Sequence, residues 1–252
     1  MRKRILNQPI DFVSMENAAM RAKAALVNHK QFKITTLNPE MIIYAQKNIE
    51  MQAAINNSHL VVPDGTGIIW AYKLLNPSNL QNIERVPGIE LAEKILEAGN
   101  SLGKKVAIFG STNEVLEKAS ALIKNKFPNI QLVKTIHGFM GKENDEKIAR
   151  EIAEVFPDIV LIALGTPRQE IWINKYGALL PKSVIIGIGG SLDIWARKKK
   201  RAPEWMRDYH LEWLYRAISE PQRLPRVIRS LPVFMWIVLN IRFKNLNYMK
   251  VF

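Results

Sequence analysis

Between residues 30 and 190, short runs of apolar, often β-branched residues alternate with longer stretches in which apolar positions recur every three or four residues. The short runs predict strands at 33–37, 59–62, 105–109, 130–136, 159–164 and 184–188. Several are almost entirely apolar, the pattern of strands covered on both faces of a mostly parallel sheet. The longer stretches predict helices near 39–56, 66–75, 88–99, 112–126, 143–155 and 168–178. Asn38-Pro39 and Thr166-Pro167 each offer an N-cap followed by proline at the first helical position, and Ser111-Thr112-Asn113-Glu114 reads as a capping box. Regular alternation of the two periodicities predicts an α/β fold, a Rossmann-like and mostly parallel sheet wound with helices.

After residue 190 the strand pattern stops. Helices are expected near 203–218 and 225–246, punctuated by prolines 203, 221, 225 and 232. The chain thus divides into an α/β core, 1–193, and a helical C-terminal appendage, 194–252. Charge follows the same division. Of a net +13, the appendage carries +9, from thirteen Lys/Arg against four Asp/Glu. Such a segment suits something anionic: nucleic acid, an anionic lipid leaflet or a phosphate-rich substrate. Its apolar run 231–239 is shorter than the about 20 residues that span a bilayer, yet suited to lie in a membrane interface. Packing of the same helix back onto the core is the alternative.

Composition narrows the chemistry. Zero cysteines exclude thiol catalysis, disulfide frameworks and Cys-ligated metals, and suit a reducing cytoplasm. The basic N-terminus is followed by too short an apolar run for a signal peptide. No Gly-x-x-x-x-Gly-Lys-Ser/Thr occurs and no Gly-x-Gly-x-x-Gly follows the first strand, which disfavours P-loop NTPases and dinucleotide oxidoreductases. None of the six aspartates lies two residues from another, and the four histidines are scattered, so no metal site is expected.

Ligands of open α/β sheets sit beyond the carboxyl ends of the strands. Here those ends carry Thr36-Leu37-Asn38-Pro39, Pro63-Asp64-Gly65-Thr66-Gly67, Gly110-Ser111-Thr112, His137-Gly138, Gly165-Thr166-Pro167-Arg168-Gln169-Glu170 and Gly187-Ile188-Gly189-Gly190-Ser191-Leu192-Asp193. Glycine turns leading into helix N-termini suit the close approach of a diphosphate. Asp64 reads either as a turn residue before glycine or as a carboxylate at a cleft mouth that takes a proton from a hydroxyl. Asn38 and Gln169 read equally as helix caps, Arg85 as a surface partner of Glu84, and His137 as a turn histidine.

Taken together, these loops resemble the WecG/TagA/CpsF glycosyltransferase family, with Arg85-Val86-Pro87-Gly88, Lys200-Arg201-Ala202-Pro203-Glu204-Trp205, Leu211-Glu212-Trp213-Leu214-Tyr215-Arg216 and Glu220-Pro221-Gln222-Arg223-Leu224-Pro225-Arg226 extending the likeness. The resemblance is nearest the TagA branch. It implies transfer of N-acetylmannosamine from UDP-N-acetylmannosamine to N-acetylglucosamine on a polyprenyl diphosphate, opening the wall teichoic acid linkage unit, with inversion and without metal or other cofactor. It also implies a peripheral location on the cytoplasmic face of a bacterial membrane and no nucleic-acid partner, and it leaves room for homo-oligomers.

Within that likeness Asp64, Arg85 and Gln169 form the catalytic set. Gly110, Gly165, Gly189 and Gly190 lie against the donor diphosphate, with Asp193 toward the nucleoside, and Thr166 and His137 also bind substrate. Thr36 and Asn38 orient a sugar, and Arg216, Arg223 and Arg226 bring positive charge from the appendage. Arg197 stands where the family often has glycine. The rival readings are a basic module binding lipid or nucleic acid without catalysis, a donor other than UDP-N-acetylmannosamine, and a Rossmann-like oxidoreductase.

Overall fold

The computed structural model describes residues 2–77, 83–209, 211–220 and 224–249. The six expected strands form β3 (Phe32–Leu37), β4 (Leu60–Pro63), β5 (Lys105–Gly110), β6 (Gln131–Ile136), β7 (Ile159–Ala163) and β8 (Val184–Gly187). They join in one sheet ordered β4-β3-β8-β7-β5-β6, and every pair is parallel. β7 and β8 are buried throughout, as their unbroken apolar runs require. Ahead of the sheet lie an antiparallel hairpin of β1 (Arg2–Ile5) and β2 (Gln8–Asp11), then α1 (Met15–Val27). Neither was legible from the apolar pattern. The strands have four residues each, and the hairpin turns on Leu6 and Asn7, both at positive φ, the geometry of a two-residue primed turn.

The helices are α2 (Pro39–Ala45), α3 (Ile49–Asn56), α4 (Thr66–Leu75), α5 (Gly88–Ser101), α6 (Asn113–Lys126), α7 (Asp145–Ala153), α8 (Arg168–Tyr176), α9 (Ser191–Trp195), α10 (Glu204–Asp208), α11 (Glu212–Ser219) and α12 (Leu224–Met249). Four expectations need correction. The helix expected near 203–218 is two, α10 and α11. The helix expected over 39–56 is two, because Asn48 caps a fresh start through its side chain on the Met51 N–H. α6 begins after Thr112, whose hydroxyl accepts from the Val115 N–H; with valine rather than an acid three residues on, the cap is one-sided and no capping box forms. Thr166 does not cap α8; Pro167 stands at that position, and the Thr166 hydroxyl donates instead to Glu170. Asn38 does cap α2, with Pro39 at the first turn.

Three apolar clusters flank the sheet. One lies between it and α1, α5 and α6; a second lies beneath α7 and α8. The third joins the hairpin, α2, α3 and α4 to α12, where Phe234 and Val238 are fully buried among Leu37, Ile42 and Ile68. α12 runs unbroken through Pro232. It packs on the core along one face while Ile228, Trp236 and Phe243 remain exposed on another. Of the two readings of this segment, packing back onto the core describes one face of α12. Among the described residues no helix is long and apolar enough to cross a membrane. Arg197 sits at φ 56, a left-handed conformation that glycine adopts without strain.

Candidate active site

β3 and β4 end side by side, with Leu37 paired to Pro63 in register. Asp64 then donates its backbone N–H to the Leu37 carbonyl, which ties its loop to the start of α2. Gly65 and Gly67 make this contact possible. A Cβ on Gly67 would come within 2.8 Å of the Pro39 ring, and one on Gly65 within 3.1 Å. Thr36, one position before Leu37, is buried against Gly88 at the head of α5. Asn38 spends its side-chain oxygen on the Met41 N–H, 3.0 Å away, so its cap role is real. It also lines the cleft into which Asp64 opens.

Arg85 lies in the irregular segment just before α5, and its partner is not Glu84. Its Nε donates to the Asp64 carbonyl at 2.6 Å, and a terminal nitrogen lies 2.5 Å from Glu212 and 3.9 Å from the Asp64 carboxylate. Glu84 instead accepts from the Met15 N–H. Glu212, the first residue of α11, is buried and stands 4.0 Å from Arg201, which also pairs with Glu90. A chain of ion pairs therefore runs from the core through Arg85 to the appendage. Burial makes such a pair costly to break from one side, because the remaining charge loses its partner. Glu212, to which the sequence pattern assigned no role, also lines the cleft. Its one signal was an acid, followed by Trp213, in a strongly basic segment.

The second neighbourhood lies where the chain leaves β5 and β7 in opposite directions, toward β6 and toward β8, the crevice position of doubly wound sheets. Gly110 packs so tightly that a Cβ would meet the Ala163 carbonyl at 2.3 Å, and Gly138 lies against Gly110 in turn. Gly165, at φ 75, has open space where a side chain would project. His137 accepts from the Phe139 N–H through Nδ1, so it does serve as a turn histidine. Gln169 is buried; its Oε1 accepts from the Gly189 N–H at 3.0 Å and its Nε2 donates to Glu170 at 2.6 Å. It thereby fixes the turn that holds Gly189, at φ 47, and Gly190, the cap of α9. Asp193 lies in α9, 3.5 Å from Lys199.

Glu170 was quoted in the sequence but given no role. Its carboxyl is pushed up to about 7 by burial, against the lowering effect of hydrogen bonds from Gln169 and Thr166. Glu40, which lines the Asp64 cleft, also acts on it electrostatically, which makes the two neighbourhoods neighbours. Arg223 lies outside the described residues, as do the side chains of Arg216 and Arg226. Among the described residues, no three His, Asp or Glu side chains are placed to hold a metal ion.

A model of the glycosyl transferase WecG/TagA/CpsF family matches residues 3–248. The N-acetylglucosaminyldiphosphoundecaprenol N-acetyl-beta-D-mannosaminyltransferase of Staphylococcus aureus strain MW2 is 36% identical over 204 residues, 81% of this chain and 78% of that protein. The enzymes of the same name from strains NCTC 8325 / PS 47 and MRSA252 match to the same identity and extent.

Proposed function

The chain belongs to the WecG/TagA/CpsF family of glycosyl transferases, and from that premise we propose that it moves N-acetylmannosamine from UDP-N-acetylmannosamine to the N-acetylglucosamine of a diphosphoundecaprenol lipid. The observation that carries the reading is Asp64. It is a carboxylate at the mouth of a cleft, on a loop that Gly65, Gly67 and Pro39 hold rigid, with an arginine beside it. The relatives' printed name supplies the donor sugar and the acceptor.

In the reaction, Asp64 accepts the proton of the acceptor hydroxyl as that oxygen bonds to the anomeric carbon. The bond from that carbon to the UDP oxygen breaks on the opposite face, and UDP leaves with the electron pair. A single displacement inverts the centre. The donor diphosphate lies toward the open Gly165 turn and beside the Gly189-Gly190 turn, whose Gly189 N–H is itself held by Gln169. Gly110 contributes by letting β5 and β7 close up beneath them. Gln169 acts through the Gly189 turn, and Thr36 and Asn38 set the loop beside Asp64, so that positioning lowers the barrier. Asp193 and His137 complete the donor side.

Arg85, with Arg216, Arg223 and Arg226 of the appendage, balances the charge on the departing UDP. That division of labour needs no metal, and the missing Asp-x-Asp pair supports it. The appendage, 194–252, is a functional unit that completes the site. Its basic residues and the exposed apolar face of α12 bring the enzyme to the inner face of a bacterial membrane, where the lipid acceptor resides, as the first step of a wall teichoic acid linkage unit. A panel of UDP-sugars assayed against N-acetylglucosamine-diphosphate-prenyl acceptors tests the assignment. Turnover with UDP-N-acetylmannosamine should exceed that with UDP-N-acetylglucosamine, its epimer at the acetamido-bearing C2, by about 10⁴-fold, since a site that hydrogen-bonds one orientation of a polar substituent leaves its own groups unpaired with the other. Equal or better turnover with UDP-N-acetylglucosamine would reassign the donor.

A further inference from the structure

The cleft in front of Asp64 continues away from the sheet, between α4 on one side and α11 and α12 on the other, as a space of about 530 Å³. α4 turns a single face toward it. Thr66, Ile69, Trp70 and Lys73 all line the cleft, at the spacing that places residues on one side of a helix. Trp70 is 37% exposed, so its indole is not filled in by core packing.

Among the described residues, the cleft has two lining cations, Arg85 and Lys73. Arg85 is engaged by Glu212 and by the Asp64 carbonyl. Among the described residues no ion pair is seen for Lys73, which is exposed at its position on α4. Lys73 lies about 10 Å along the helix from Thr66 by helical rise, and Thr66 stands two residues after Asp64. A base just ahead of the helix, then an open aromatic face and a cation along it, thus follow one another. The order matches one pyranose ring with a diphosphate on its anomeric carbon, its reacting hydroxyl on the far side of the ring.

We infer that α4 is the recognition element for the acceptor, with Trp70 carrying the face of its sugar ring and Lys73 meeting its diphosphate. The inference rests on the glycosyl-transfer reading above and extends it to the acceptor's place. The ring's C–H face packs on the electron-rich face of the indole. The ammonium supplies charge-assisted hydrogen bonds to phosphate oxygens. Leu231 and Met235 of α12 line the same cleft and offer an apolar wall for the first prenyl carbons.

The test uses the full chain, with Lys73→Met, Lys73→Arg and Trp70→Ala, and varies donor and acceptor independently. The acceptor is N-acetylglucosamine-diphosphate on a short prenyl chain; the donor is UDP-N-acetylmannosamine. Lys73→Met should raise the acceptor KM about tenfold, the loss of one charged hydrogen bond, and leave the donor KM unchanged. Lys73→Arg should restore most of the loss, and Trp70→Ala should raise the acceptor KM alone. Binding of geranyl diphosphate, followed by intrinsic fluorescence, should weaken in Lys73→Met by a similar factor. A rise in donor KM instead would place Lys73 on the donor side and overturn the inference. Unchanged kinetics and unchanged geranyl diphosphate binding would also overturn it. If the unmutated protein transfers no sugar but binds geranyl diphosphate through Lys73, the transfer reading fails and the cation site stands. If it does neither, both fall.

Discussion

Replacing Glu170 by glutamine tests the physical reading of the donor side through stability alone. The Glu170 carboxyl is buried, one oxygen accepting from Gln169 and Thr166 and the other lacking any partner among the described residues. That arrangement suits a protonated acid: the paired oxygen accepts and the second carries the proton. Burial raises the group from 4.5 to about 7. Because the folded state holds this proton more tightly than the unfolded chain, stability is greatest below about pH 4.5. It falls as pH rises toward 7, then stays level. The full change corresponds to about 3 kcal/mol. Glutamine mimics the protonated form and does not titrate. The difference in unfolding free energy between Glu170→Gln and the unmutated protein should therefore be near zero at pH 4.5 and about 3 kcal/mol in favour of the variant at pH 8. In melting temperature the gain at pH 8 is roughly 6–12 °C for a chain of this size. Urea unfolding or thermal melts at several pH values measure it, and taking the difference cancels the other titrating groups. A difference that does not change with pH would refute the argument.

Phe234→Ala should cost about 3–5 kcal/mol in urea unfolding, since Phe234 is fully buried between α12 and the core; a cost below about 1 kcal/mol would mean that α12 is not docked there. Deleting residues 194–252 removes Phe234 and Val238 from the cluster containing Ile42 and Ile68, so the remaining core should fold, self-associate in light scattering and transfer no sugar. A monomeric, active truncation would contradict the role given to the appendage. Arg197→Gly, at φ 56, should raise the melting temperature by roughly 2–4 °C, the relief of about 1 kcal/mol of left-handed strain; an unchanged or lower melting temperature would refute the strain.

The sheet was legible because strands buried on both faces leave nearly unbroken apolar runs, and β7 and β8 are of this kind. The hairpin β1–β2 left no such trace. Its strands are short, Gln8 and Asp11 are buried polar residues within it, and Asp11 serves Arg2 and the Val61 N–H. Local cap patterns were right where the next residues continue a helix, as at Asn38. They failed at Thr166, whose hydroxyl turns to the buried Glu170 instead.

Of the site, the strand-end loops carrying Asp64, Gly165 and Gly189 were readable, because topology alone places such loops together. The partnership of Arg85 with Glu212 spans 127 residues, and no local spacing encodes it. The same holds for the α4 face, where Trp70 and Lys73 look in sequence like an ordinary amphipathic helix. Only the arrival of α11 and α12 turns that face into the wall of a cleft.

Asp64→Asn in the full-length protein tests the central claim most directly. Sugar transfer from UDP-N-acetylmannosamine to the lipid-diphosphate N-acetylglucosamine acceptor is followed in single turnovers, with donor binding measured in parallel. The asparagine is nearly the same size and keeps the loop, but it cannot take the proton of the acceptor hydroxyl. The account expects the rate to fall by about 10²–10⁴-fold with donor affinity unchanged. Turnover within a few-fold of the unmutated protein would contradict it, and would move the base to another residue.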